Sequence, residues 1–231
     1  MTTEATIHPS AARAVISDWL PGAARVLAVT ARPGQESADL GGLLYAFRRS
    51  GASLSLLCLT RGEASAVNSG TARLEAMRPW EVQLAASILG VREVSVSDYR
   101  DGSLHHYRTP DVAVRIRQAV REYRADLVLV VAPETGDIAD AAVANAAAAA
   151  ARQAGVPVAA RTRPGVPGAW MLDLGADAEI ARAIQKSAAA AHATQADALP
   201  ELISRLDQLG SVETLRWLVG PPQVPAQRMR T

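Results

Sequence analysis

The 231-residue chain has a single cysteine, Cys58. A lone thiol excludes an intrachain disulfide and every multi-cysteine metal site. Aromatic residues make up 4% of the chain, too few for the stacking platforms that hold single-stranded nucleic acid. An excess of one charge is also missing. Twenty-four Lys+Arg face 23 Asp+Glu, a formal net charge of +1, which excludes a general electrostatic binder of nucleic acid. No run of 18 apolar residues occurs, so no membrane-spanning helix is expected. The first residues carry Glu4 and Asp18 and lack a basic start before an apolar core. No signal peptide is therefore expected, and the expected location is the cytoplasm. Lysine is nearly absent too: Lys186 is the only one among the 24 basic residues, a coding bias without chemical content.

What remains is a globular composition, 49% hydrophobic and 20% charged, in a chain long enough to bury roughly three quarters of its unfolded surface. Apolar runs with turn residues on both sides read as buried strands at residues 25–30, 53–59, 91–96, 126–132 and 170–174. Between them lie helical patterns. Leu40, Leu43, Leu44 and Phe47 share one face, with Gly51 just beyond. Leu74, Met77, Leu84, Ile88 and Leu89 mark a long helix that Gly90 ends. Thr109-Pro110-Asp111 starts another, with Pro at the first helical position and an acid in the first turn. Residues 141–153 are almost all alanine and need a closely packed neighbour. Helices are also expected near 177–193 and 198–209.

Alternation of buried strands and helices predicts an α/β fold: a single Rossmann-like domain with a mostly parallel sheet and helices on both faces. The domain spans residues 25–219, after an N-terminal extension (1–24) and before a loose Pro-rich tail (220–231). Ligands in such folds lie outside the carboxyl ends of the strands. Four segments therefore matter: 31–37, 60–68, 98–108 and 133–140.

These segments carry Ala31-Arg32-Pro33-Gly34-Gln35-Glu36 with Gly41-Gly42 following, Thr60-Arg61-Gly62-Glu63, Asp101-Gly102, and Gly136-Asp137-Ile138-Ala139-Asp140. Arg78 precedes Glu81 by three residues, and His192-Ala193-Thr194-Gln195 lies late in the chain. In order and spacing, over residues 25–217, the set resembles the PIG-L/LmbE family of de-N-acetylases. The resemblance implies zinc-dependent hydrolysis of an amide, usually the N-acetyl group of an amino sugar. The family's first loop reads Ala-His-Pro-Asp-Asp-Glu, in which the His and second Asp bind zinc and the first Asp is the general base. Its His-Pro-Asp-His motif gives the third ligand.

At those positions this chain has Arg32 for the ligand His, Gly34 for the base and Gln35 for the ligand Asp. Asp137 and Asp140 replace the two histidines, Asp140 standing for the third ligand. A guanidinium has no lone pair to offer a metal. At about 4 Å and an effective dielectric near 20 it would repel Zn²⁺ by roughly 8 kcal/mol. The expectation is thus no metal cofactor, with Arg32 turned into the former metal position and paired with Asp137 or Asp140; the other reading of Arg32 is a group that binds an anion, such as a carboxylate or phosphate, in the metal's place.

Other candidates carry two readings each. Asp137 and Asp140 are either acid/base groups or caps of the Ala-rich helix. Arg78 is a substrate contact by resemblance, or a solvated helix charge beside Glu75 and Glu81. Asp101 accepts a substrate hydroxyl by resemblance, or forms a plain Asp-Gly turn. His192 is near the pocket by resemblance, or fixes local structure. His105 and His106 are adjacent and read as exposed loop residues; Cys58 reads as inert core.

Two functions follow. One is a member that has lost zinc chemistry but keeps a pocket for a small molecule or partner. The other is an active amide hydrolase with a rebuilt site using Glu36, Asp137 and Asp140. A small-molecule ligand is expected, with no nucleic acid and no membrane, and self-association stays open.

Overall fold

The computed structural model describes residues 16–17, 20–64 and 74–220. The expected loose tail, most of the N-terminal extension and the second half of the 60–68 loop lie outside the described residues.

Among the described residues eight strands form one sheet: β1 (Ile16–Ser17), β2 (Arg25–Thr30), β3 (Ser53–Thr60), β4 (Glu93–Tyr99), β5 (Leu127–Val131), β6 (Val158–Arg161), β7 (Trp170–Asp173) and β8 (Val212–Val219). Their order across the sheet is β1-β7-β8-β6-β5-β2-β3-β4. All pairings are parallel except those of β8 with β6 and β7. Seven α-helices among the described residues connect them: α1 (Gln35–Ala38), α2 (Gly41–Arg49), α3 (Leu74–Leu89), α4 (Thr109–Glu122), α5 (Ile138–Ala154), α6 (Ala178–Ala190) and α7 (Leu199–Leu209). The expected α/β architecture with a mostly parallel sheet is what the chain adopts. β6 and the antiparallel β8 have no counterpart among the strands expected from the sequence. The sheet also takes in Ile16–Ser17, before the expected domain start at residue 25.

Side chains of a strand alternate between faces, and β2 shows it. Leu27 and Val29 join the core layer under α4 and α5, with Val128, Val130 and the alanines of α5. Val26 and Ala28 join the opposite layer under α2, α3 and α6, with Leu43, Phe47 and Leu56. Both layers are dry, which is why β2, β3 and β5 read as unbroken apolar runs. The alanines of α5 let it approach both the sheet and α4 closely.

Gly41 and Gly42 serve packing. A Cβ on Gly42 would lie 2.2 Å from Glu213 Oε1 and 2.7 Å from Arg182 Nη1, and one on Gly41 would lie 2.7 Å from Gln185 Cγ. The start of α2 therefore rests directly on a buried polar cluster shared by α6 and β8.

Strand order reverses between β2 and β5: from β2 the chain runs outward to β3 and β4, and from β5 outward to β6. At such a switch point the loops at the two strand ends diverge and leave a crevice. The loop after β2 and the loop after β5 flank it.

Candidate functional site

Four side chains bridge the two loops. Arg32 Nη2 lies 2.5 Å from Asp137 Oδ2. Gln35 Nε2 donates to Asp140 Oδ1 at 2.5 Å, while Gln35 Oε1 accepts the Ala31 N–H at 2.8 Å. Asp137 is also the N-cap of α5: its Oδ1 accepts from Ala139 N at 2.8 Å and Asp140 N at 3.4 Å. So Asp137 both caps and pairs, the cap fixing the carboxylate that the arginine meets. Asp140, one turn in, takes no capping bond. It accepts from Gln35 and, at 3.1 Å, from the Thr135 hydroxyl.

The two aspartates differ electrically. Burial pushes both carboxyls upward, but for Asp137 the Arg32 hydrogen bond and charge outweigh it and hold the group below the usual carboxylate range. Asp140 has no such cation in contact, and burial with the neighbouring Asp137 charge leaves it raised. Burial lowers Arg32, but the Asp137 contact and the Asp140 and Asp101 charges more than offset this, so its pKa is raised and its charge fixed.

Behind this layer Glu36 is fully buried. It accepts from His192 Nε2 at 2.6 Å, Ser37 Oγ at 2.9 Å and Gly34 N at 3.0 Å. Holding the His192 proton on Nε2 leaves Nδ1 without a hydrogen-bond partner among the described residues, 4.0 Å from Glu81 Oε2. Glu81 is taken up by Thr194, whose backbone N–H and hydroxyl donate at 2.8 and 2.7 Å.

Gly34 has φ +93°, and a Cβ there would be 3.0 Å from Gln195 Oε1. Gln195 Nε2 donates to Pro33 O at 3.2 Å, so the late His-x-x-Gln segment lies over the first loop. A cleft of about 240 Å³ opens here, lined by Arg32, Gly34, Gln35, His192, Gln195 and, on the apolar side, Leu202.

The remaining candidates lie elsewhere. Arg78 is 1% exposed, which overturns the solvated reading. Its Nε donates to Thr194 Oγ1 at 3.3 Å, and it stands outside the lining of the cleft. Asp101 is buried and binds the backbone N–H of Ala64 at 3.2 Å and Gly102 at 2.9 Å. It is a turn that also ties two strand-end loops together. His105 and His106 are exposed and sit side by side. Cys58 is buried, which pushes its thiol up to about 12; it stays a protonated core residue. Thr135 belongs to the cluster and was not picked out in the sequence; Glu81 and Thr194 were named there only within the Arg78–Glu81 and His-x-x-Gln spacings, without the contact that joins them.

A family-type zinc centre needs about three lone-pair donors around an open position. The side chains present do not fit one. Arg32 is a cation, Gln35 has its carbonyl on Ala31 and its amide on Asp140, and Asp137 is spent on Arg32 and a helix cap. Among the described residues no three of His, Cys, Asp and Glu stand where they could hold an ion.

Comparison with known proteins bears on this site. The family model described as "PIG-L: GlcNAc-PI de-N-acetylase" matches residues 27–152. A probable N-acetyl-alpha-D-glucosaminyl L-malate deacetylase 2 from Bacillus anthracis is 31% identical over 110 residues, 45% of this chain and 48% of that protein. The match thus spans about half the length of that relative. Among solved structures, a deacetylase of teicoplanin biosynthesis superposes with a TM-score of 0.69 at 18% identity, over 84% of this chain and 96% of that one. The 4-carboxy-2-hydroxymuconate hydratase from Pseudomonas putida KT2440 superposes with a TM-score of 0.68 at 18% identity, over 86% and 98%. At such identities these likenesses carry the fold, and the fold serves more than one reaction.

Proposed function

The chain belongs to the PIG-L family, and from that premise we propose that it is a member in which an internal hydrogen-bonded network stands in place of zinc. On this reading it does not hydrolyse N-acetyl groups by the family's reaction and keeps the cleft beside Arg32 as a binding site for a small molecule. The observation that carries the proposal is the Arg32–Asp137 contact at 2.5 Å. A guanidinium placed among carboxylates supplies the positive charge that they would otherwise take from an ion.

The backbone supports it independently. Gly34 occupies the position of the family's general base in a left-handed conformation, against Gln195. An aspartate there would be strained at φ +93° and would press on the Gln195 amide. Restoring the base therefore needs a rearranged loop, not one substitution.

A second reading, an active hydrolase with a rebuilt site, draws on the Glu36–His192 pair, since His192 lines the cleft. A carboxylate that orients an imidazole is a general acid/base device. Asp137 and Asp140 contribute little to that reading, because their oxygens are engaged with Arg32, Gln35, Thr135 and the helix N-terminus.

The test is a deacetylation assay on N-acetyl amino-sugar glycosides, with and without added zinc, alongside calorimetric titration of the same compounds. The expected result is no turnover above the protein-free rate in either condition. Zinc-dependent turnover that Glu36→Gln abolishes would overturn the proposal. Zinc-independent turnover lost in His192→Gln would establish the second reading instead.

A further inference from the structure

The cleft beside Arg32 has two walls of opposite character. One is apolar: Ala38 at the end of α1, Ala189 on α6, Ala198, and Leu199 and Leu202 on α7. The other is polar and begins at Arg32. Asp137 engages only the Nη2 of that guanidinium, so Nη1 and Nε have no acceptor among the described residues. Gln195 gives its Nε2 to Pro33 O, and its Oε1, beside Gly34, receives no donor among the described residues. The acids around the cleft are already engaged. Asp137 takes Arg32 and the first N–H groups of α5. Asp140 accepts from Gln35 and Thr135, and Glu36 from His192. Asp39, the one acidic residue in the lining, lies 3.1 Å from Arg205 Nη1 and 3.9 Å from Arg161 Nη1, two cations for one anion.

We propose that the cleft binds a small 2-hydroxy carboxylic acid with an apolar body: the carboxylate on the free donors of Arg32, the hydroxyl donating to Gln195 Oε1, and the body against Leu199 and Leu202. This rests on the reading of the cleft as a metal-free binding site and names its ligand class. The two readings of Arg32 then hold together, since Nη2 pairs with Asp137 and the rest of the guanidinium is left for a ligand. A neutral ligand would cover those donors without satisfying them, whereas a planar carboxylate matches them. Phosphate fits less well. Helix starts hold it through free backbone N–H groups, and here Gly34 N is bonded to Glu36 and the N–H groups of Ala139 and Asp140 to Asp137. Arg32 and Gln195 both border Pro33-Gly34, which puts the hydroxyl near the carboxylate and not at the far end of the molecule. The volume of about 240 Å³, below the roughly 300–1,000 Å³ of pockets for drug-sized ligands, limits the ligand to a small acid.

Calorimetric titration of the full chain with mandelate, phenylacetate, mandelamide and inorganic phosphate tests this. Mandelate has all three features, phenylacetate lacks the hydroxyl and mandelamide lacks the charge. The expected result is one mandelate per chain with a Kd on the order of 1 mM. Mandelamide, and mandelate on Arg32→Gln, should each bind about tenfold more weakly or worse, the worth of a charge-assisted hydrogen bond. Phenylacetate should bind about threefold more weakly or worse. No mandelate binding up to about 20 mM overturns the proposal, as does phenylacetate, mandelamide or phosphate binding as tightly as mandelate, or an Arg32→Gln chain that binds mandelate unchanged. Should Arg32→Gln fail to fold, Leu202→Glu decides: it sets a carboxylate on the apolar wall, and undiminished mandelate binding there rejects the cleft as the site. The deacetylation assay on the same preparation separates the two levels. Absent mandelate binding without turnover removes the ligand class alone, and zinc-dependent turnover removes the reading beneath it as well.

Discussion

Arg32 and Arg182 each lie 2.5 Å from a carboxylate, and little else about them is alike. The Arg182 side chain is 8% exposed and its Glu213 partner 2%. Its other bonds reach Gln185 Oε1, Gly210 O and Val212 O. Gln185 in turn donates to Ser37 O at 2.8 Å, so the cluster props up the first loop from below. The Arg32 side chain is 42% exposed, its Asp137 partner 31%, and Asp137 is its one hydrogen-bond acceptor among the described residues. Equal distances thus conceal unequal tasks. A buried arginine with four side-chain hydrogen bonds holds elements together. A half-exposed one with donors to spare ties two loops at the surface of the cleft.

The comparison makes graded predictions. Arg182→Ala should be the most damaging change, at about 3–5 kcal/mol, because it leaves Glu213 charged, buried and unpaired. Urea denaturation measures it, and a loss below about 1 kcal/mol, the range of a surface pair, would erase the distinction. Gly42→Ala should follow at about 1–3 kcal/mol, the ordinary cost of overpacking, because the added methyl enters the Arg182–Glu213 contact.

Glu134 gives an intermediate, pH-dependent case. Burial pushes its carboxyl up, but bonds from Arg216 at 2.6 and 2.7 Å and from Thr162 at 2.7 Å hold it below the ordinary value. A carboxyl depressed in the folded state contributes stability above its unfolded pKa and loses it as pH falls through the folded one. Glu134→Gln should therefore lower the melting temperature by a few degrees at pH 7, and the difference should shrink as pH falls below the ordinary carboxylate range and through the lowered folded pKa. A gap that persists in acid would mean that packing, not ionisation, is lost. Arg32→Ala should have the smallest effect, within about 1 kcal/mol at pH 7. A loss as large as that of Arg182→Ala would show that Arg32 also holds the fold together.

Legibility in the sequence follows the same division. β2, β3 and β5 were readable because both sheet faces are covered, so their whole length is apolar. β6 is four residues with two alanines, and β8 (VETLRWLV) mixes charged and apolar residues as it passes between two neighbours. Neither carries a strong local signal. In α3, Met77 and Leu84 were read with Leu74 and Leu89 as one apolar pattern, yet they point outward; composition marked the helix but not which face is covered. At the site, Arg32, Gly34, Gln35, Asp137 and Asp140 were singled out through the resemblance to the PIG-L/LmbE motifs, which sets them at the family's ligand and base positions. Burial of Arg78 was not, because Thr194 is 116 residues away. The Glu36–His192 contact joins residues 156 apart, and only the assembled sheet brings them together.

Metal content tests the central idea most directly. The full chain, purified with zinc present and dialysed against buffer without chelator, should carry far less than one zinc per chain by elemental analysis, and Arg32→His alone should not raise it, because Gln35 stays at a ligand position with both its amide atoms engaged. One tightly held zinc per chain that Asp140→Ala removes would contradict the network that Arg32, Gln35, Asp137 and Asp140 are taken to form in place of the ion.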